Sequence, residues 1–78
     1  MNVTFVEKSE AGLKLILYDD NLHVMESDSF DDKYALNFHL QTLVKKCKIE
    51  RSLMVVHDKI KNSVDISIAQ DENSFFVN

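Results

Sequence analysis

The stretch Ile49-Glu50-Arg51-Ser52-Leu53-Met54-Val55-Val56-His57-Asp58-Lys59-Ile60-Lys61-Asn62 decides between two architectures. Ile49, Leu53, Val56 and Ile60 stand at i, i+4, i+7 and i+11, the spacing of one helix face. Yet Leu53-Met54-Val55-Val56 is also an unbroken apolar run of the kind a buried strand carries. As a strand, with a loop at Lys61–Ser63, it would pair Ile60 with Val64 and Val56 with Ile68, and would set Asp58 against Ile66. That mismatch favours a second helix over about residues 50–62.

Upstream lies the clearest helical pattern. At ~100° per residue, Leu36, Leu40, Leu43, Val44 and Cys47 fall on one stripe about 100° wide. Asp28 or Ser29 can cap this segment. Asp31 and Asp32 then fall in its first turn and Lys45, Lys46 and Lys48 in its last, the order favoured by the helix dipole. The spacing predicts an amphipathic helix over about residues 29–48.

Before that helix, Leu13–Tyr18 and Leu22–Glu26 read as a hairpin around a three-residue loop, Asp19–Asn21. Such a loop pairs Tyr18 with Leu22, Ile16 with Val24 and Lys14 with Glu26. Both faces of the hairpin are largely apolar, which predicts cover on both sides or a central place in the sheet. Val3–Val6 reads as a further short strand. Beyond Asn62, Val64, Ile66 and Ile68 alternate with Asp65 and Ser67, then a Gln70–Asn73 turn leads to a Ser74–Val77 strand. The sum is a single α+β domain over residues 1–78, an antiparallel sheet with its helices on one face.

The chain has 78 residues and a net charge of −4, a balance that argues against general nucleic-acid binding and suits a soluble protein meeting a basic partner. A single cysteine, Cys47, excludes an internal disulfide framework. No basic-then-apolar leader is present, and no apolar run nears the ~18 residues of a membrane span, so a cytoplasmic protein with no membrane contact is expected. The Lys/Asn/Asp-rich composition without proline would suit a phage or mobile-element origin.

Charge is segregated along the chain. Six carboxylates (Asp19, Asp20, Glu26, Asp28, Asp31, Asp32) precede or open the central helix, and Lys45, Lys46, Lys48 and Arg51 close it, like the two ends of a polar rod. Helix capping and turn propensity explain most of these residues; the functional reading is an acidic surface for a basic partner. The basic cluster has a similar ordinary reading, cations at a helix C-terminus, and a functional one in nucleic-acid binding. The segment Asp28–Asp32 lacks the calcium-loop pattern, with no mid-loop glycine and no terminal bidentate Glu.

His23, His39 and His57 are not spaced as metal ligands, and Cys47 falls in the apolar stripe, so no metal, cofactor or nucleophile is expected. No phosphate loop, Cys-x-x-Cys, His-Glu-x-x-His or Gly-x-Ser-x-Gly occurs. Tyr34 and Phe38 are the sharper feature. They stand four apart, at roughly 160° and 200° from Leu36 on the helical wheel, opposite the Leu stripe. Either another element of the chain buries them, or they meet a second molecule, a copy of this chain included. The expectation is a non-enzymatic inhibitor, immunity-type protein or adaptor. Its partner-binding residues would be Tyr34, Phe38, Asp31, Asp32, Asp19 and Asp20. The alternative is a nucleic-acid-associated regulator using Lys45, Lys46, Lys48 and Arg51.

Overall fold

A computed structural model describes all residues, Met1–Asn78. The elements in chain order are β1 (Asn2–Ser9), β2 (Gly12–Tyr18), β3 (Val24–Phe30), α1 (Lys33–Lys46), β4 (Ser52–Asp58), β5 (Ser63–Ala69) and a 3₁₀ turn, Glu72–Ser74. The strands form one sheet in the order β3-β2-β1-β4-β5. All pairs are antiparallel except β1 with β4, which run parallel, so the α+β fold carries a mixed sheet rather than the antiparallel one expected. No helix is long and apolar enough to cross a membrane.

The second helix expected over 50–62 does not form. Ser52–Asp58 is instead β4, lying between β1 and β5. An inner strand with apolar residues on both faces loses the two-residue alternation, and its continuous apolar run then mimics helical spacing. The mismatch that argued against a strand disappears because the β4–β5 turn lies elsewhere: Asp58 pairs with Ser63 and Val56 with Asp65. Asp58 builds that turn, its Oδ1 accepting from the backbone N–H of Ile60 and of Lys61, each at 3.0 Å. Asn62 takes the left-handed conformation, φ 55°.

The hairpin register is also corrected. Tyr18 pairs with Val24 and Ile16 with Ser27, with an irregularity between Leu17 and Tyr18, so the loop is Asp19–His23 rather than Asp19–Asn21. Asp19 Oδ1 accepts from the N–H of Asn21 and of His23, both at 2.9 Å, and Leu22 supplies the positive φ, 64°. Gly12 makes the preceding β1–β2 turn: at φ 125° any Cβ would stand 2.9 Å from the Phe30 carbonyl oxygen.

The central helix is shorter than the predicted 29–48. The chain stays extended through Phe30 because that ring packs against the core beside Leu13, its partner across β2 and β3. Asp32 then caps the helix, its Oδ1 accepting from Ala35 N–H at 2.9 Å. Asp28 and Ser29 are strand residues, and Asp31 precedes the cap. The C-terminus closes with a Schellman arrangement: Ile49 N–H donates to Val44 O and Lys48 N–H to Lys45 O, with Lys48 at φ 53° where glycine is usual.

Leu36, Leu40, Leu43 and Val44, the predicted stripe, are buried against Val6, Leu15, Leu17 and Met54 on one face of the sheet, with Cys47 partly buried beside them. The C-terminal segment shares this layer. It is tied down as expected, but by irregular chain rather than a strand. Phe75 and Val77 are 1% and 2% exposed. The buried Asn37 holds the tail from both sides, Nδ2 donating to Val77 O and Oδ1 accepting from Val77 N–H, each at 2.8 Å. Gln41 Nε2 donates to the carbonyls of Phe75 and Glu72.

Nothing covers the opposite face. One row of register partners there runs Ile66, Val55, Phe5, Ile16 across β5, β4, β1 and β2. The next runs Ile68, Leu53, Val3, Tyr18. None of these eight side chains belongs to the buried core. Of the two outcomes expected for the hairpin, two-sided cover is absent within one chain, while β2 takes an inner place in the sheet and β3 lies at its edge.

Two outcomes test this layering. Leu40 is 0% exposed, so Leu40→Ala should cost about 2–5 kcal/mol in urea unfolding; a loss below about 0.5 kcal/mol, the range of surface substitutions, would refute the helix packing. Asp19 supplies the second. The His23 N–H, its foremost hydrogen-bond partner, holds the Asp19 carboxyl below the ordinary 3.8. A carboxyl lowered on folding contributes in full above its unfolded value and loses that contribution as pH falls through the lower folded value. The His23 amide resonance should therefore titrate below pH 3.8 in the parent and stay flat in Asp19→Asn. A parent midpoint at or above 3.8 would rule out this loop geometry.

Candidate protein-binding surface

The sheet lies on the inner side of α1, so the residues at 160–200° from its Leu stripe must face away from the protein. Tyr34 and Phe38 do: each is 77% exposed. The reading in which another element buries them is thereby corrected, because the segment that could have formed a covering helix is β4, inside the sheet. Lys33 Nζ lies 5.8 Å from the centroid of the Tyr34 ring, a cation–π distance. Phe38 lines a shallow groove with Asn37, Gln41, Glu72, Asn73 and Phe76.

Phe76 was not among the expected site residues. The buried Phe75 and Val77 on either side force its ring outward, where it is half exposed. The signal was available in the sequence, since alternation along an extended tail sends every second side chain to the opposite side. Read as a C-terminal strand, however, the segment gave no reason to bring this ring beside Phe38.

The acidic residues divide between two ends of the molecule. Asn2 pairs with Ser52 and Val3 with Tyr18, so Asp19, Asp20 and the chain start share one end of the sheet with the start of β4. Asp31 and Asp32 stand at the other, beside Ser9, Gly12 and Asp58. The structure therefore brings Asp31 and Asp32 near Tyr34 and separates Asp19 and Asp20 from it. These last two also have local partners: Asp19 carries its loop, and Asp20 pairs with the N-terminal amine at 3.2 Å. Asp32 is engaged as the helix cap, which leaves Asp31 as the freer carboxylate beside the aromatics.

Lys45, Lys46, Lys48 and Arg51 are all exposed and follow one another around the end of α1. This is the end of the sheet that also holds Asp19 and Asp20, so the polar-rod picture fails for the hairpin and holds for the helix alone. Lys45 and Lys48 further share a groove with Glu50, Asp71 and Glu72. Two of the four cations thus share a groove with three carboxylates, a mixed surface rather than a phosphate track.

One polar cluster lies outside the expected set. Glu26 and Asp28 point from β3 toward α1, and their carboxylates and the His39 ring offer donor atoms all within 4.8 Å of one another. His39 Nε2 stands 3.1 Å from Asp28 Oδ2, and the ring tilts against Phe30 with centroids 5.4 Å apart. These are the residues of this chain best placed to hold a cation. Their convergence was hidden because β3 was expected to end at Glu26 and Asp28 to cap a helix. His23 and His57 lie on other strands or loops, and Cys47 sits at the helix end against the core. Comparison with family models, with curated proteins and with solved structures finds no match to this chain, so the chemistry of these side chains alone carries any reading of the surface.

Proposed function

We propose that this chain is a non-enzymatic protein-binding module, an inhibitor, immunity-type protein or adaptor that acts on a larger, basic partner in the cytoplasm. One observation carries the reading: Tyr34 and Phe38, two aromatic rings four residues apart, are each 77% exposed on the outer side of the only helix. Large rings turned to water serve no purpose in the fold of one chain, and aromatic side chains dominate the energetics of protein interfaces. Phe76 extends the apolar strip, while Asp31 and Glu72 flank it with negative charge. Charges at a rim steer encounter and select partners of opposite sign, which supports a basic partner.

A scaffold that holds its helix rigidly serves such a role. The helix is seated on the sheet by four buried side chains and bound to the tail through Asn37 and Gln41, so Tyr34 and Phe38 are presented in a fixed relation. The alternative, a nucleic-acid-associated regulator working through Lys45, Lys46, Lys48 and Arg51, is weakened by Glu50, Asp71 and Glu72, which share a groove with Lys45 and Lys48.

The double substitution Tyr34→Ala with Phe38→Ala should remove partner capture, measured by cross-linking and mass spectrometry from host lysate beside the parent protein. Each anchor of this kind costs about 2 kcal/mol or more when truncated, so affinity should fall roughly a thousandfold. The melting temperature should stay within a few degrees of the parent. Asp31→Lys should mainly slow association, and Asp32→Asn, which keeps a capping side chain, should change little. Unchanged capture by the double variant, or a large drop in its melting temperature, would dispose of this surface as the site.

Nucleic acid supplies a separate check. At physiological salt the protein should give no retention on random duplex or single strands at ~1–100 μM, where general binders are retained. Retention that disappears on raising salt and in Lys45→Glu with Lys48→Glu would favour the alternative.

A further inference from the structure

We propose that the uncovered face of the sheet is a homodimer interface, a second copy of this chain packing sheet on sheet against it. This goes beyond the partner surface on the helix and does not depend on it. The strongest evidence is the direction of the alternation in β5. Asp65 and Ser67 face the side that carries α1, while Val64, Ile66 and Ile68 face the side with no cover. Ile66 is 65% exposed. A strand packed only against this protein's own core would be patterned the other way round.

The open side is apolar on the neighbouring strands as well. In the row through Ile66, Val55, Phe5 and Ile16, and in the row beside it, no position from β5 to β2 is charged. An antiparallel or mixed sheet with one face in water normally alternates apolar-in with polar-out. In β1, β2 and β4 both sides are largely apolar, as in strands buried between two layers.

The size of the face fits one more layer. Five strands at ~4.8 Å spacing, each presenting three residues at ~6.8 Å intervals, make a footprint of about 500 Å² on one copy. That is roughly a tenth of the 5202 Å² surface, the share a standard interface occupies. Doubled across two copies it reaches about 1,000 Å², the threshold for a specific interface. Sheets stack face to face at ~10 Å with aligned strands, so the rows of one copy can interdigitate with those of the other.

The charge distribution makes a second copy the occupant. Each chain carries a net charge of −4, which opposes self-association through most of its surface. This face is the exception. Its charged pair, Glu7 and Lys14, are register partners of opposite sign, and Lys59 also lies 3.4 Å from Glu7. Two copies can therefore meet here without bringing like charges together. The core of one copy is also thin, with 12 buried apolar residues, and a small domain in that position gains from burying more by association.

Sedimentation velocity on the full chain at ~100 μM should give twice the 9.0 kDa chain mass. Ile66→Lys, at an exposed edge position, should raise the dimer dissociation constant by about a hundredfold or more and leave the circular dichroism spectrum intact. The Tyr34→Ala, Phe38→Ala double variant should remain a dimer, which separates this proposal from the reading of the helix surface. A parent protein that sediments as a monomer at that concentration overturns the proposal. So does a dimer that survives Ile66→Lys and dissociates in the aromatic double variant. Should Ile66→Lys unfold, isotope-filtered NOEs in a mixture of labelled and unlabelled parent chains read the contact directly. Intermolecular NOEs from the methyl groups of Val55, Ile16 and Ile66 support the face. Their absence, with NOEs from the rings of Tyr34 and Phe38 instead, refutes it.

Discussion

One helix of 14 residues has to roof a sheet of five strands, and most of what is particular to this protein follows from that shortfall. Leu36, Leu40, Leu43 and Val44 cluster with residues of β1, β2 and β4, and the outermost strands join that core at only one apolar residue each, Phe30 on β3 and Ala69 on β5. Each edge meets the deficit differently. On β3 the inward positions Glu26 and Asp28 are carboxylates, with Asp28 Oδ2 3.1 Å from His39 Nε2 on the helix. Inward charge on an edge strand also discourages pairing with another chain. On β5 the inward positions Asp65 and Ser67 are polar, and the tail through Val77 lies over the gap between them and Val56.

The tail therefore completes the roof. Phe75 and Val77 are as deeply buried as the helix leucines, yet the segment has no ladder to satisfy its backbone. Asn37 and Gln41 supply what a neighbouring strand would have supplied, meeting carbonyls and an N–H that would otherwise be buried unpaired. Asn37 is the one polar residue among the buried positions of the helix, which explains why a polar side chain occupies a site flanking the apolar stripe.

The sequence made some of this legible for physical reasons that differ from element to element. The helix was readable because only one side of it is buried, so Leu36, Leu40 and Leu43 stand out against charged and amide neighbours. The same contrast places Tyr34 and Phe38 on the far side of the helix. The strand β4 was not readable, because an inner strand between two apolar faces has no contrast along it, and four apolar residues in a row satisfy a helical template as well. The hairpin register was lost to Asp19: a carboxylate that collects two backbone N–H groups stabilises a five-residue loop, and pairing rules for shorter loops then shift every partner. The cluster at His39 depended on where β3 ends, and element ends are set by contacts such as that of Phe30 with the core, which no local pattern reveals.

The parallel pairing of β1 with β4 bears on how the chain reaches this state. The pairs β1–β2, β2–β3 and β4–β5 join neighbours in sequence and can form as separate hairpins. The contact between Phe5 and Val55 instead closes a loop of some fifty residues, at the centre of the sheet. Topologies that rest on such distant pairings fold slowly for their size, on the order of milliseconds to seconds. During synthesis β1 must wait for β4, and through that interval the inner edge of β1 has no partner. The β3-β2-β1 piece carries that open edge until β4 docks, and unpaired edges of this kind are where mispairing starts.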